Sequence, residues 1–105
     1  MEKTIKLAGV TYGPCQENIK NYACPMELGI DEYDLVREPE NPADPNAVRV
    51  EIFGFKFGYI PKEQAQEISP LLKSGHHFSA KFVSLNRSPF YDTVGLTVKI
   101  TEKIQ

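Results

Sequence analysis

The chain has 105 residues, 41% of them hydrophobic and 25% charged, with a formal net charge of −2. This length suits one domain spanning residues 1–105, and no apolar run approaches the roughly 18 residues that a membrane helix needs, so no membrane partner is expected. The opening MEKTIKLAGV has no apolar stretch of signal-peptide length, which points to the cytoplasm, and the acidic balance argues against indiscriminate coating of nucleic acid.

In chain order, Ile5 and Leu7 alternate with Thr4 and Lys6, the period-two pattern of a half-buried strand leading into a turn over Gly9 to Gly13. Residues 14–31 follow neither period. Pro14, Pro25 and Gly29 interrupt them, so an excursion with at most a short helical turn is expected. Tyr33, Leu35 and Val36 suggest a second strand, which Pro39 ends because proline cannot donate to a ladder.

After a loop rich in proline, Val48, Val50 and Ile52 alternate with Arg49 and Glu51, Gly54 turns the chain, and Phe55, Phe57 and Tyr59 alternate with Lys56 and Gly58. This reads as a hairpin. Pro61 suits a helix start, and Ala65, Ile68 and Leu72 share one helical face, giving a helix over 62–73 that Pro70 is expected to kink or split, with Ser69 capping the second piece and Gly75 ending it. Phe78, Ala80 and Phe82, then Val94, Leu96, Val98 and Ile100, supply two more alternating strands. Five or six short strands with one helix predict a mainly β fold, a small OB-like or SH3-like β-barrel, because one helix cannot supply the crossovers of a parallel sheet.

High-specificity enzyme motifs are absent: there is no nucleophile elbow, phosphate-binding glycine loop, metalloprotease motif or CxxC, so neither catalysis nor a cofactor is expected. Cys15 and Cys24 are expected to be free thiols in a reducing compartment. With His76 and His77 they make a nominal zinc set, but the adjacent histidines lack the usual ligand spacing, so no metal is expected. The histidines instead suit the last carbonyls of the helix before them. Tyr12, Tyr59, Phe90 and Tyr91 fall at strand ends and loops, where rings either stack on bases or pack at the ends of a barrel. Lys62, Arg49 and Arg87 can meet phosphates or simply face solvent.

Charge is uneven: residues 1–48 hold nine acidic and four basic side chains, and residues 49–105 hold five acidic and eight basic, so any polyanion contact is expected to be local.

The most distinctive stretch is REPENPADPNAVRVEIFG, residues 37–54. Asn41, Asp44 and Asn46 can bond to their own loop's backbone, while Pro39, Pro42 and Pro45 restrict the unfolded chain, and both effects make the loop rigid.

Four segments together resemble a HIRAN domain: LAGVTYG, REPENPADPNAVRV, FGYIPKEQA and the LLKSG that closes the helix. The resemblance implies a modified OB-like barrel with flanking helices and binding to the 3′-hydroxyl end of single-stranded DNA, or to a frayed duplex. By matching position it implies that Tyr12 stacks on a base, Asn41 helps hold the terminal nucleotide, Asp44 accepts the terminal 3′-hydroxyl and Lys62 contacts phosphate. Within that reading a carboxylate suits a hydroxyl and repels a phosphate, so Asp44 would select chain ends while Asn46 stays structural.

Three positions depart from the family pattern. Thr11 stands for a DNA-contacting arginine, Ala43 for a second stacking tyrosine and Tyr59 for a histidine. A lost stacking wall costs about 1 to 3 kcal/mol, and Tyr59 is the residue that can restore part of it. The alternative function is a protein-interaction module in which Phe55, Phe57 and Tyr59 present a face to a protein partner.

Overall fold

The computed structural model describes residues 2–22 and 32–103. Among them the order is β1 (Glu2–Lys6), α1 (Cys15–Tyr22), β2 (Asp34–Arg37), β3 (Val48–Ile52), β4 (Phe55–Tyr59), α2 (Lys62–Lys73), β5 (His77–Ser88) and β6 (Tyr91–Lys103). The strands form two three-stranded antiparallel sheets, ordered β1-β6-β5 and β2-β3-β4. Val48, Val50, Ile52 and Phe57 of the second sheet share one buried core with Ile5, Leu96, Val98 and Ile100 of the first, and the helices add Ile19, Ala65 and Ile68. No helix among the described residues is long and apolar enough to cross a membrane.

The expected OB-like or SH3-like barrel is not what forms; the strands make two separate sheets. The sheets touch edge to edge through two isolated bridges, Ala8 with Tyr59 and Tyr33 with Ala80, and neither grows into a ladder. At the first seam the cause is local: Gly9 follows Ala8 with φ +63° and sends the chain into a turn, so pairing stops after one residue. The approach itself needs Gly58, where a Cβ would lie 2.8 Å from the Ala8 carbonyl oxygen.

Two helical expectations also change. The segment expected to hold at most a turn contains α1, eight residues long, and Pro14 precedes it, where a missing N–H costs nothing. Polar side chains dock this helix. Gln16 Nε2 donates to the carbonyls of Val10 and Val94, its Oε1 accepts from the Val94 N–H, and Asn18 Nδ2 donates to the Lys56 carbonyl. An apolar period was therefore a poor guide there, and the rest of that segment, residues 23–31, lies outside the described residues along with Cys24.

The second helix, α2, runs as one element through Pro70 rather than splitting there. Pro70 is solvent-exposed and sits in the closing turns, so little of the helix depends on its missing donor. Ser69 caps nothing; it is buried and its hydroxyl accepts from Arg37 Nε at 3.1 Å. The helix closes when Gly75 enters φ +93° and the His76 N–H reaches the Leu71 carbonyl.

The last hairpin is longer than its alternation suggested. A register shift between Phe82 and Ser84 interrupts the period-two pattern, which hides the outer half of β5 and β6 from a periodicity argument.

Candidate functional site

Tyr12, Asn41, Asp44, Tyr59 and Lys62, the five residues singled out from sequence, line one open groove of about 270 Å³. They arrive from four places: the turn after β1, the loop between β2 and β3, the end of β4 and the first residue of α2. The seam between the sheets brings them together. Ala8 and Tyr59 exchange two backbone hydrogen bonds of 2.8 Å, which fixes the Tyr12 turn beside β4. Gly9 completes the join, since a Cβ there would lie 2.8 Å from Tyr12 Cδ2 and 3.2 Å from Tyr59 Cδ1. Both rings thus pack on bare backbone, and Tyr12 remains 65% exposed.

The loop is built by its own polar side chains. Asn41 Oδ1 accepts the N–H groups of Ala43 at 2.9 Å and Asp44 at 3.2 Å, and its Nδ2 donates to Glu38 Oε1 at 2.9 Å. Asp44 Oδ1 accepts the Asn46 N–H at 2.9 Å. The base is tied by Glu38 N–H to the Ala47 carbonyl and by Asn41 N–H to the Glu38 carbonyl. These bonds use both ends of the Asn41 amide within the loop. Among the described residues none bonds the second carboxylate oxygen of Asp44, or the Lys62 ammonium.

Glu38, which the sequence reading passed over, sits behind both walls. Its carboxylate accepts from Asn41, from the Tyr59 hydroxyl at 3.0 and 3.1 Å, and from Arg49 Nη1 at 3.3 Å. Burial pushes this carboxyl upward, but the hydrogen bonds from Asn41, Tyr59 and Arg49 outweigh it and hold the group below its ordinary value. Lys56 Nζ donates to the same Tyr59 hydroxyl at 3.0 Å and lies 5.0 Å from the ring centroid. That bond leads the causes that raise Lys56, with burial opposing it. The sequence carries a clue in residues 37–54: an acidic residue next to Pro39 and three before Asn41 is well placed to bond an asparagine turn.

Several other candidates fall elsewhere. The Arg49 guanidinium is committed to Glu51 at 2.8 Å and to Glu38, so it is not a free phosphate ligand. Arg87 near the end of β5, Phe90 in the β5–β6 turn and Tyr91 at the start of β6 lie outside the groove, and the two rings are 86% and 75% exposed. The face expected from Phe55, Phe57 and Tyr59 is incomplete, with Phe55 38% exposed and its neighbours turned inward. Phe57 is fully buried, Phe55 stacks on Tyr22 at 4.4 Å, and Tyr59 turns its hydroxyl to Glu38. His76 pairs with Glu102 at 2.8 Å through Nδ1, not with helix carbonyls. Cys15 is buried, and burial raises its thiol, with Lys56 opposing. Among the described residues no cluster of His, Cys, Asp or Glu is arranged to hold a metal ion.

The groove is electrostatically balanced at its rim, where Asp44 and Lys62 are the charged lining residues. Behind it Glu38 and Glu51 face Arg49 and Lys56.

Residues 5–103 match the HIRAN domain. The crystal structure of the HIRAN domain of human HLTF superposes with a TM-score of 0.68 at 17% identity, covering 96% of this chain and 74% of that one. The crystal structure of a protein from Lactobacillus plantarum also gives 0.68, at 20% identity, covering 98% of this chain and 100% of that one. At such identities the likeness is one of fold. No curated protein sequence matches the chain.

Proposed function

This chain belongs to the HIRAN domain family, and we propose that it is a non-catalytic module that binds single-stranded DNA, or the frayed end of a duplex, at a terminal 3′-hydroxyl. The observation that carries this reading is the convergence of two tyrosine rings, an ammonium and a half-committed carboxylate in one groove. Rings stack on bases without regard to sequence, and each stack is worth about 1 to 3 kcal/mol. Tyr12 offers an exposed face, and Tyr59 supplies a second ring packed at the same Gly9.

Lys62 opens α2, whose first turn has no side-chain cap. Its ammonium and the first N–H groups of the helix supply positive charge at the groove, which suits a phosphate of the bound strand. Asp44 then supplies end selectivity. One of its oxygens holds the loop and the other is open to a donor, so a hydroxyl is accepted and a phosphate is repelled. Ala43 leaves the loop side of the groove without a ring, so stacking depends on the tyrosines.

The test is fluorescence-anisotropy titration of the intact chain with a short 3′-hydroxyl oligonucleotide and its 3′-phosphorylated twin at two salt concentrations. Tighter binding of the hydroxyl form, weakening as salt rises, is expected. Equal binding of both would sink end recognition.

A further inference from the structure

We infer that Glu38 is a positioning residue that couples the two walls of the groove, so that the place of Asp44 is set through a carboxylate that touches no ligand. The inference rests on the end-binding reading above and extends it to a residue outside the groove lining.

The geometry runs in one line. The Tyr59 hydroxyl donates to both Glu38 oxygens, Glu38 Oε1 accepts from Asn41 Nδ2, and Asn41 Oδ1 accepts the backbone N–H of Asp44. Three residues therefore connect the aromatic wall to the amide of the end-selecting carboxylate. The same residue also ties the loop's base through its backbone, at Ala47 and at Asn41. Among the described residues no other side chain hydrogen-bonds to both walls.

The chemistry demands a charged carboxylate at this point. Three donors converge on it: an amide, a phenol and a guanidinium. A neutral glutamine offers one acceptor oxygen and would aim an NH₂ group at one of those donors. Arg49 and Lys56 compensate the charge, and Lys56 also fills the acceptor site of the Tyr59 hydroxyl. The phenol thereby both donates and accepts within the protein, which holds its ring in place as a wall of the groove.

The test uses Glu38→Gln and Tyr59→Phe in the intact chain, with two readouts. Hydrogen exchange on the ligand-free protein follows the Asp44 and Asn46 amides against the β1–β6 ladder. Anisotropy follows the preference for the 3′-hydroxyl oligonucleotide over the 3′-phosphorylated one. In Glu38→Gln we expect loop exchange to accelerate at least tenfold with the ladder unchanged, and the preference to fall at least threefold. Adding Glu38→Gln to Tyr59→Phe should cost less affinity than adding it to wild type, because the two act along one path.

Unchanged loop exchange in a folded Glu38→Gln protein overturns the positioning role, whatever the wild type binds. Faster exchange with an intact preference overturns the link to Asp44. If Glu38→Gln does not fold, Tyr59→Phe decides: an unchanged preference there rejects the coupling. A wild type that binds neither oligonucleotide overturns the end-binding reading, and exchange then still judges Glu38 by itself.

Discussion

The Tyr12 ring packs on the bare backbone of Gly9, so closely that a Cβ on Gly9 would lie 2.8 Å from Tyr12 Cδ2. Gly9 also has φ +63°, a conformation that costs an L-residue about 1 kcal/mol or more. Gly9→Ala should therefore lower stability by about 1 to 2 kcal/mol in urea unfolding and should weaken DNA binding beyond the fraction unfolded, because the ring must move.

Tyr12 itself is 65% exposed, so truncating it removes little packing. Tyr12→Ala should leave Tm nearly unchanged while single-stranded DNA affinity falls by about 1 to 3 kcal/mol. A large drop in Tm would instead make Tyr12 a packing residue.

Lys62 is solvent-exposed at the start of α2 and lines the groove. Lys62→Ala should weaken all oligonucleotide sequences alike and reduce the slope of log K against log salt by about one counterion. A slope equal to that of wild type would remove Lys62 from the phosphate path.

Glu38 predicts an acid limb. Its carboxyl is held below its ordinary value in the folded chain, so the unfolded chain binds this proton more readily. The resulting stability is present above the unfolded carboxylate value, about 4.3, and is lost as pH falls through the lower folded value. Urea midpoints measured from pH 6 downward should fall less steeply in Glu38→Gln than in wild type.

Strand pairs and helix limits were legible where a single face is apolar. Val48, Val50 and Ile52 sit where alternation put them, and α2 has the limits its spacing suggested. That the sheets stay separate was not legible, because it depends on whether a bridge at Ala8 propagates, and the Gly9 turn decides that locally. Nor was α1, whose buried face mixes Cys15 and Ile19 with polar Asn18 and which Gln16 and Asn18 dock by hydrogen bonds. The groove residues were reached through a motif, whereas Glu38 has its meaning only through partners as distant in sequence as Tyr59, 21 positions away.

Asp44 separates end recognition from general binding most cleanly. Its Oδ1 accepts the Asn46 N–H, a bond that the amide oxygen of asparagine can also make, so Asp44→Asn should keep the loop and leave Tm close to wild type. Only the charge is lost. An ionised carboxylate accepts the terminal hydroxyl and repels a phosphate in the same place, whereas a neutral amide repels neither. The wild type should therefore bind the 3′-hydroxyl oligonucleotide more tightly than its 3′-phosphorylated twin, with the 5′ end making no difference. In Asp44→Asn the gap should narrow, chiefly because the phosphorylated form gains affinity. If the gap is as wide in Asp44→Asn as in wild type, the carboxylate is a turn former and end selection lies elsewhere in the groove.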